Sequence, residues 1–206
     1  MSKRSRVARG VAATVLTVTG TMSVTVPPAA AANPTASDVP APHRAFGRLG
    51  ALTDLVVERL RVSDDVAAAK FGTGSPIDDP AREQQVLDQV RAQAGSLGLD
   101  PEQAAAFFRD QITASKVVQR GLFTRWTNHP DEAPTTRPDL GEIRTRLDRL
   151  TTELLGELKA TADVRAQQTP CTVQLAVATG SAVVLDRLDA LHRQALGAGV
   201  LSVCWG

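Results

Sequence analysis

The stretch LGALTDLVVERLRVSDDVAAAK, residues 49–70, decides the fold. Taken every three or four residues it reads Leu49, Leu52, Val56, Arg59, Ser63, Val66, Lys70. That spacing is the inward stripe of an amphipathic helix. Arg59 and Lys70 break its apolar character. A charge in a core is costly unless something pairs with it. Either this helix has a wet side, or the two cations face a bound anion.

The same reading applied outward gives an all-α chain with five helical segments. The first runs from about His43 to Phe71 and ends at Gly72-Thr73-Gly74-Ser75-Pro76. Asp79-Pro80 opens the second, an N-cap followed by Pro at the first helical position, which runs to about Ser96. Asp100-Pro101-Glu102-Gln103 opens the third, which ends near Thr127 before Asn128-His129-Pro130. Asp139 with Glu142 caps the fourth, which reaches about Val164. The last segment is a bent helix or helix pair between Cys171 and Cys204.

Lys3, Arg4, Arg6 and Arg9 precede an apolar, threonine-rich run from Val11 to Val26, followed by Pro27-Pro28 and Ala29 to Ala32. This order reads as a secretory signal over residues 1–32, cleaved near Ala32–Asn33. A membrane anchor is the alternative, disfavoured because the run is short and broken by Thr, Gly and Pro. Residues 33–42 read as a flexible leader and 43–206 as one domain. Without the signal, 19 basic residues face 22 acidic ones, and no basic tract remains. That balance disfavours a nucleic-acid partner.

In an exported chain the pair Cys171 and Cys204 reads as one disulfide, with two free thiols as the alternative. An unbroken helix between them would hold their Cα atoms roughly 50 Å apart. A disulfide needs them within about 7 Å. The segment must fold back, and Gly180-Ser181 is where the break is expected.

Polar residues recur on the other apolar seams. The second helix carries Glu83 before Leu87, Val90, Ala94 and Leu97, with Arg82 beside it. The third reads Phe108, Ile112, Ser115, Gln119, Leu122, Trp126. The fourth reads Leu140, Ile143, Leu147, Leu150, Leu154, Leu158, and Arg144 shares that face. Each has a plain alternative. Arg59 and Lys70 could snorkel from a seam edge. Arg82 and Glu83 could be first-turn surface charges, and Asp79 only an N-cap. Ser115 and Gln119 could satisfy each other, and Arg144 could pair with Glu142 or Asp148. Arg120 and Arg125 fall off the seam and are expected in solvent; Phe107, Phe108 and Trp126 are expected in the core.

Together the set is lopsided. Arg59, Lys70, Arg82 and Arg144 are cationic and Glu83 is the clear anion. The natural counter-charge is a small ligand with more than one carboxylate or phosphate. No nucleophile–base pair and no metal spacing accompanies them, and His43, His129 and His192 are scattered. Binding fits, or a reaction needing only shape and electrostatics.

Glu58-Arg59-Leu60, then Lys70, then Pro76-Ile77-Asp78-Asp79-Pro80-Ala81-Arg82-Glu83, then Asp110-Gln111-Ile112 leading to Ser115 and Gln119, resembles the all-helical chorismate mutases. The leader, the two-cysteine extension and Arg144 resemble the secreted, gamma-class branch. The resemblance spans about Leu49 to Cys204. It implies a helical bundle with a C-terminal extension and the rearrangement of chorismate to prephenate, a step of aromatic amino acid biosynthesis, with no cofactor and no metal.

By position, it implies that Arg59 and Arg144 hold the substrate's two carboxylates. Lys70 would reach the ether oxygen and a carboxylate, and Gln119 would donate the second hydrogen bond to that oxygen. Arg82 would support the ring, Glu83 would accept from the ring hydroxyl with help from the Asp79 N–H, and Ser115 would touch a carboxylate. In the cytosolic branch one substrate arginine comes from the partner chain; Arg144 would supply it here in cis. The expected assembly is a homodimer with a complete site in each protomer, free of membrane after signal cleavage. Where some members carry Glu at position 119, this chain carries Gln. Gly72 to Ser75 departs from the helical continuation expected there. The rivals are an isochorismate pyruvate lyase on the same fold and a non-catalytic secreted binding protein.

Overall fold

The computed structural model describes residues 45–204. The signal, the leader and the expected start of the first helix at His43 lie outside them. Among the described residues there is no strand. The elements are α1 (Gly50–Lys70), α2 (Pro80–Leu97), α3 (Pro101–Asn128), a 3-10 turn (Pro130–Glu132), α4 (Leu140–Ala160), α5 (Ala162–Arg165), α6 (Gln168–Leu185) and α7 (Ala190–Gly199).

α1 is the central helix. It packs on α3, α4, α6 and α7. Its apolar stripe Leu49, Leu52, Val56 and Leu60 is buried with Phe107 and Phe108 of α3 and Leu150 and Leu154 of α4. α1 begins later than its periodicity suggests, because the residues before it are committed elsewhere. The Phe46 N–H donates to Ser181 Oγ at 2.8 Å and the Arg48 N–H to Gln174 Oε1 at 2.8 Å, tying this segment to α6. Gly47 takes φ +81°, which helical backbone excludes. Gly50 sits so close to the Ala45 carbonyl that a Cβ there would lie 2.2 Å from its oxygen.

The caps read from sequence form. Asp79 Oδ1 accepts from the Arg82 N–H at 3.0 Å, Asp100 Oδ1 from Glu102 and Gln103, and Asp139 Oδ1 from Gly141 and Glu142. Each satisfies N–H groups that the first helical turn leaves without partners. The glycine-rich corner 72–75 is a turn, with Gly72 and Gly74 at positive φ.

Two expectations about the C-terminal third are corrected. The fourth helix stops at Ala160 rather than Val164; Thr161 turns the chain and α5 restarts it. The reversal is not at Gly180-Ser181. α6 runs through that pair, and the Ser181 hydroxyl bonds back to the Ala178 carbonyl at 2.9 Å. It ends where Leu188 N–H reaches Val183 O and Arg187 N–H reaches Val184 O, with Arg187 at φ 51°. That is a Schellman stop, whose left-handed position usually holds glycine. α7 then returns, capped by Asp189, and Cys204 meets Cys171 in a disulfide with Cα atoms 5.6 Å apart. The chain-entropy estimate for closing a loop of this separation is about 3–4 kcal/mol.

Candidate active site

α1, α2, α3 and α4 leave between them a cavity of about 230 Å³. All eight residues singled out from the sequence line it: Arg59 and Lys70, Asp79, Arg82 and Glu83, Ser115 and Gln119, and Arg144. The apolar wall includes Val66, Val86, Ile112, Ile143 and Leu147. Each helix keeps its greasy seam in the core and turns the polar break in that seam toward this space.

Arg59 lies in the middle of α1 with 7% exposure. Its Nη1 reaches the Leu147 carbonyl and the Thr151 hydroxyl only at 3.4 and 3.5 Å, and its buried Nε has no partner. No carboxylate is bonded to it. The Phe108 ring sits beneath it, with the guanidinium carbon 5.6 Å from the ring centroid. Burial pushes its pKa down to about 10, opposed by the charge of Asp148. It is still a cation near neutral pH, with bonding capacity left over.

Lys70, the last residue of α1, donates to the Pro76 carbonyl at 2.9 Å. Burial lowers its pKa, while Asp79, Asp78 and Glu83 hold it up. Arg144 stands on the opposite wall. Among the described residues it has no hydrogen-bond or ion-pair partner, so the pairing with Glu142 or Asp148 does not occur. Arg82 reaches Gln85 at a long 3.4 Å.

Ser115 and Gln119 stack one turn apart on α3. Gln119 Nε2 donates to Ser115 Oγ at 3.1 Å, and its buried Oε1 is left without a partner. Their mutual satisfaction is therefore half complete. Glu83 is held by both oxygens: Oε1 accepts from the Asp79 N–H at 3.2 Å and Oε2 from Lys116 at 2.8 Å. The Asp79 side chain caps α2 and its N–H closes on Glu83, so it serves both purposes weighed from the sequence.

Lys116, Asp148 and Thr151 also line the cavity and were missed. Thr151 is one turn beyond Leu147, whose seam could have flagged it. Lys116 follows Ile112 by four residues and precedes Gln119 by three, so the spacing that flagged Arg144 could have flagged it too. Arg120 and Arg125 stay at the surface as expected, but in ion pairs with Asp78 and Glu132. Among the described residues no group of His, Cys, Asp or Glu is arranged to hold a metal ion, and no helix is long and apolar enough to cross a membrane.

The arrangement can grip a compact molecule by two separated anionic groups and present a cation and an amide between them. It offers no aligned nucleophile and base. Comparisons with known proteins point to one family. A family profile described as chorismate mutase type II matches residues 50–120. The chain is 35% identical over 159 residues to a secreted chorismate mutase of Mycolicibacterium smegmatis, covering 74% of this chain and 84% of that protein. It is 32% identical over 157 residues to the secreted chorismate mutase of Mycobacterium tuberculosis, covering 76% and 78%. The crystal structure of a chorismate mutase from Burkholderia phymatum superposes with TM-score 0.73 at 35% identity, over 77% of this chain and 97% of that one.

Proposed function

The chain belongs to the chorismate mutase family, and from that premise we propose that the α1–α4 cavity converts chorismate to prephenate. The reaction is an intramolecular Claisen rearrangement, so the enzyme is an isomerase. An ether C–O bond breaks as a C–C bond forms within one molecule. Nothing is transferred to the protein. Catalysis comes from holding the substrate in a compact conformer and from stabilising negative charge that grows on the ether oxygen.

Arg59 and Arg144 hold the two carboxylates. The observation that carries this reading is the buried Arg59 guanidinium with no carboxylate bonded and its Nε unpartnered. Lys70 exchanges the Pro76 carbonyl for the ether oxygen and a nearby carboxylate. Gln119 supplies the second donor: turning its amide half a rotation lets Oε1 accept from the Ser115 hydroxyl and aims Nε2 at the substrate. Arg82 steadies the ring side, and Ser115 meets a carboxylate. Glu83, fixed by Asp79 and Lys116, accepts from the ring hydroxyl.

All eight residues come from one chain. That supports a homodimer with a complete site in each protomer. Relatives named as secreted support export, and residues 1–32 are the signal removed on the way, leaving 33–42 as the leader.

The test is direct. Purified protein is mixed with chorismate and the loss of substrate absorbance followed, with acid conversion of the product to phenylpyruvate identifying prephenate. Turnover is expected. Its absence overturns the reading, and release of salicylate and pyruvate from isochorismate instead would make the chain a lyase on the same scaffold.

A further inference from the structure

Lys116 is the one cation in the cavity wall already engaged by two carboxylates. Its ammonium lies 2.8 Å from Glu83 Oε2 and 3.2 Å from Asp78 Oδ1, and its side chain is 19% exposed. Asp78 is itself gripped by Arg120, through both carboxylate oxygens at 2.8 Å. Two residues of α3 thus clamp the loop before α2 and the first turn of α2. Glu83, at the end of that clamp, is tied through Oε1 to the Asp79 N–H and through Oε2 to Lys116.

We propose that Lys116 is a positioning residue that fixes the Glu83 carboxylate toward the cavity and so sets preference for substrates carrying the ring hydroxyl. This rests on the reading of Glu83 as the hydroxyl's acceptor. A glutamate in a first helical turn otherwise samples several rotamers, and ordering it when substrate binds costs affinity. With one bond to each oxygen already made, Glu83 keeps a single orientation, and each oxygen retains a lone pair for the incoming O–H. Lys116 also offsets the negative charge of Glu83, which would repel a dianionic substrate. The bond to Glu83 raises the Lys116 pKa, so the ammonium form persists throughout the working range. Arg would keep the charge and a donor to Glu83; Met would keep the bulk and lose both.

The experiment compares two inhibitors, a bicyclic dicarboxylate ether resembling the transition state and the same compound without its ring hydroxyl. Their affinities are measured for wild type, Lys116→Met, Lys116→Arg, Glu83→Gln and the double variant Lys116→Met/Glu83→Gln. The ratio between the inhibitors cancels any uniform loss from the missing charge. Wild type should prefer the hydroxylated compound, and Lys116→Met should lose about tenfold of that preference, the scale of one hydrogen bond to a charged group. Lys116→Arg should recover most of it, and the double variant should fall no further than Glu83→Gln alone. Equal losses for both inhibitors in Lys116→Met, or an unchanged ratio, overturn the role of Lys116 while leaving that of Glu83. An unchanged ratio in Glu83→Gln overturns the hydroxyl reading itself and the inference with it. Lys116→Gln, measured alongside, serves if the Met variant misfolds.

Discussion

Arg59 and Arg165 are buried to the same degree, at 7% and 6% exposure, and neither is bonded to a carboxylate. Their surroundings answer them differently. Arg165 closes α5, and its Nε donates to the Val203 carbonyl at 2.9 Å and its Nη1 to the Leu158 carbonyl at 3.0 Å. Leu158 belongs to the last turn of α4, where unpartnered carbonyls and the helix dipole welcome a cation. Val203 is next to the disulfide-bonded Cys204, so Arg165 stitches the C-terminal turn to the bundle. Arg59 has contacts only at 3.4 and 3.5 Å and an unpartnered Nε. Burial lowers the pKa of both. Burial alone therefore does not mark a site. Donors left unmet inside a cavity do.

The difference can be broken one residue at a time. Arg59→Ala should lower kcat/KM by about 10³-fold, the loss expected when a charge clamp on the substrate disappears. Its melting temperature should stay level or rise, because an under-bonded buried cation is removed. Arg165→Met should do the reverse. It strands two carbonyls, at roughly 1–3 kcal/mol each, so denaturant unfolding should show a loss of about 2–4 kcal/mol. Its kcat/KM should stay within about threefold of wild type. Matched losses of activity in the two variants would erase the distinction.

Gln119 sharpens the functional side. As an amide it donates at any pH, so wild-type kcat/KM should show no requirement for acid on its account. In Gln119→Glu the donor exists only when the carboxyl is protonated. Activity near pH 7.5 should fall by about tenfold or more and recover as the pH is lowered toward 5. A pH profile unchanged by the substitution would remove Gln119 from the ether oxygen.

His192 sharpens the structural side, with the smallest effect. Its Nε2 lies 3.0 Å from Asp64 of α1 and its Nδ1 2.8 Å from Asp189, the cap of its own helix. The Asp64 contact and then the Asp189 contact, against the opposing effect of burial, raise its pKa to about 9 from the ordinary 6.5. A raised folded-state value stabilises the fold fully below about 6.5, and that contribution fades as pH rises through 9. The stability difference between wild type and His192→Asn should therefore be larger at pH 6 than at pH 9.5. A constant difference would mean that the ion pairs contribute nothing.

The bundle and its cavity were legible because helical periodicity is a strong signal and the polar breaks fall on it. Leu52, Val56, Arg59 and Ser63 keep one face whether or not the rest of the chain is known. The C-terminal third was harder. Its reversal uses Arg187 in a position where glycine is the usual marker, so Gly180-Ser181 drew attention instead. The late start of α1 depends on hydrogen bonds to Gln174 and Ser181, which lie more than a hundred residues away. Lys116 shares a face with Ile112 and Gln119, but its role shows only beside Glu83. Arg165 follows the predicted fourth helix with no pattern around it. Each of these depends on tertiary neighbours that no local spacing encodes.

The central claim is that the unmet donors of Arg59 are the substrate's place. Thermal unfolding with and without a dicarboxylate transition-state analogue tests it most directly. At a hundred times its Kd the analogue should stabilise wild type by about 2.7 kcal/mol, a rise of roughly 5–10 °C in Tm. Arg165→Met, starting from a lower Tm, should rise by as much. Arg59→Ala should not move at the same concentration. A full shift in Arg59→Ala would contradict the account.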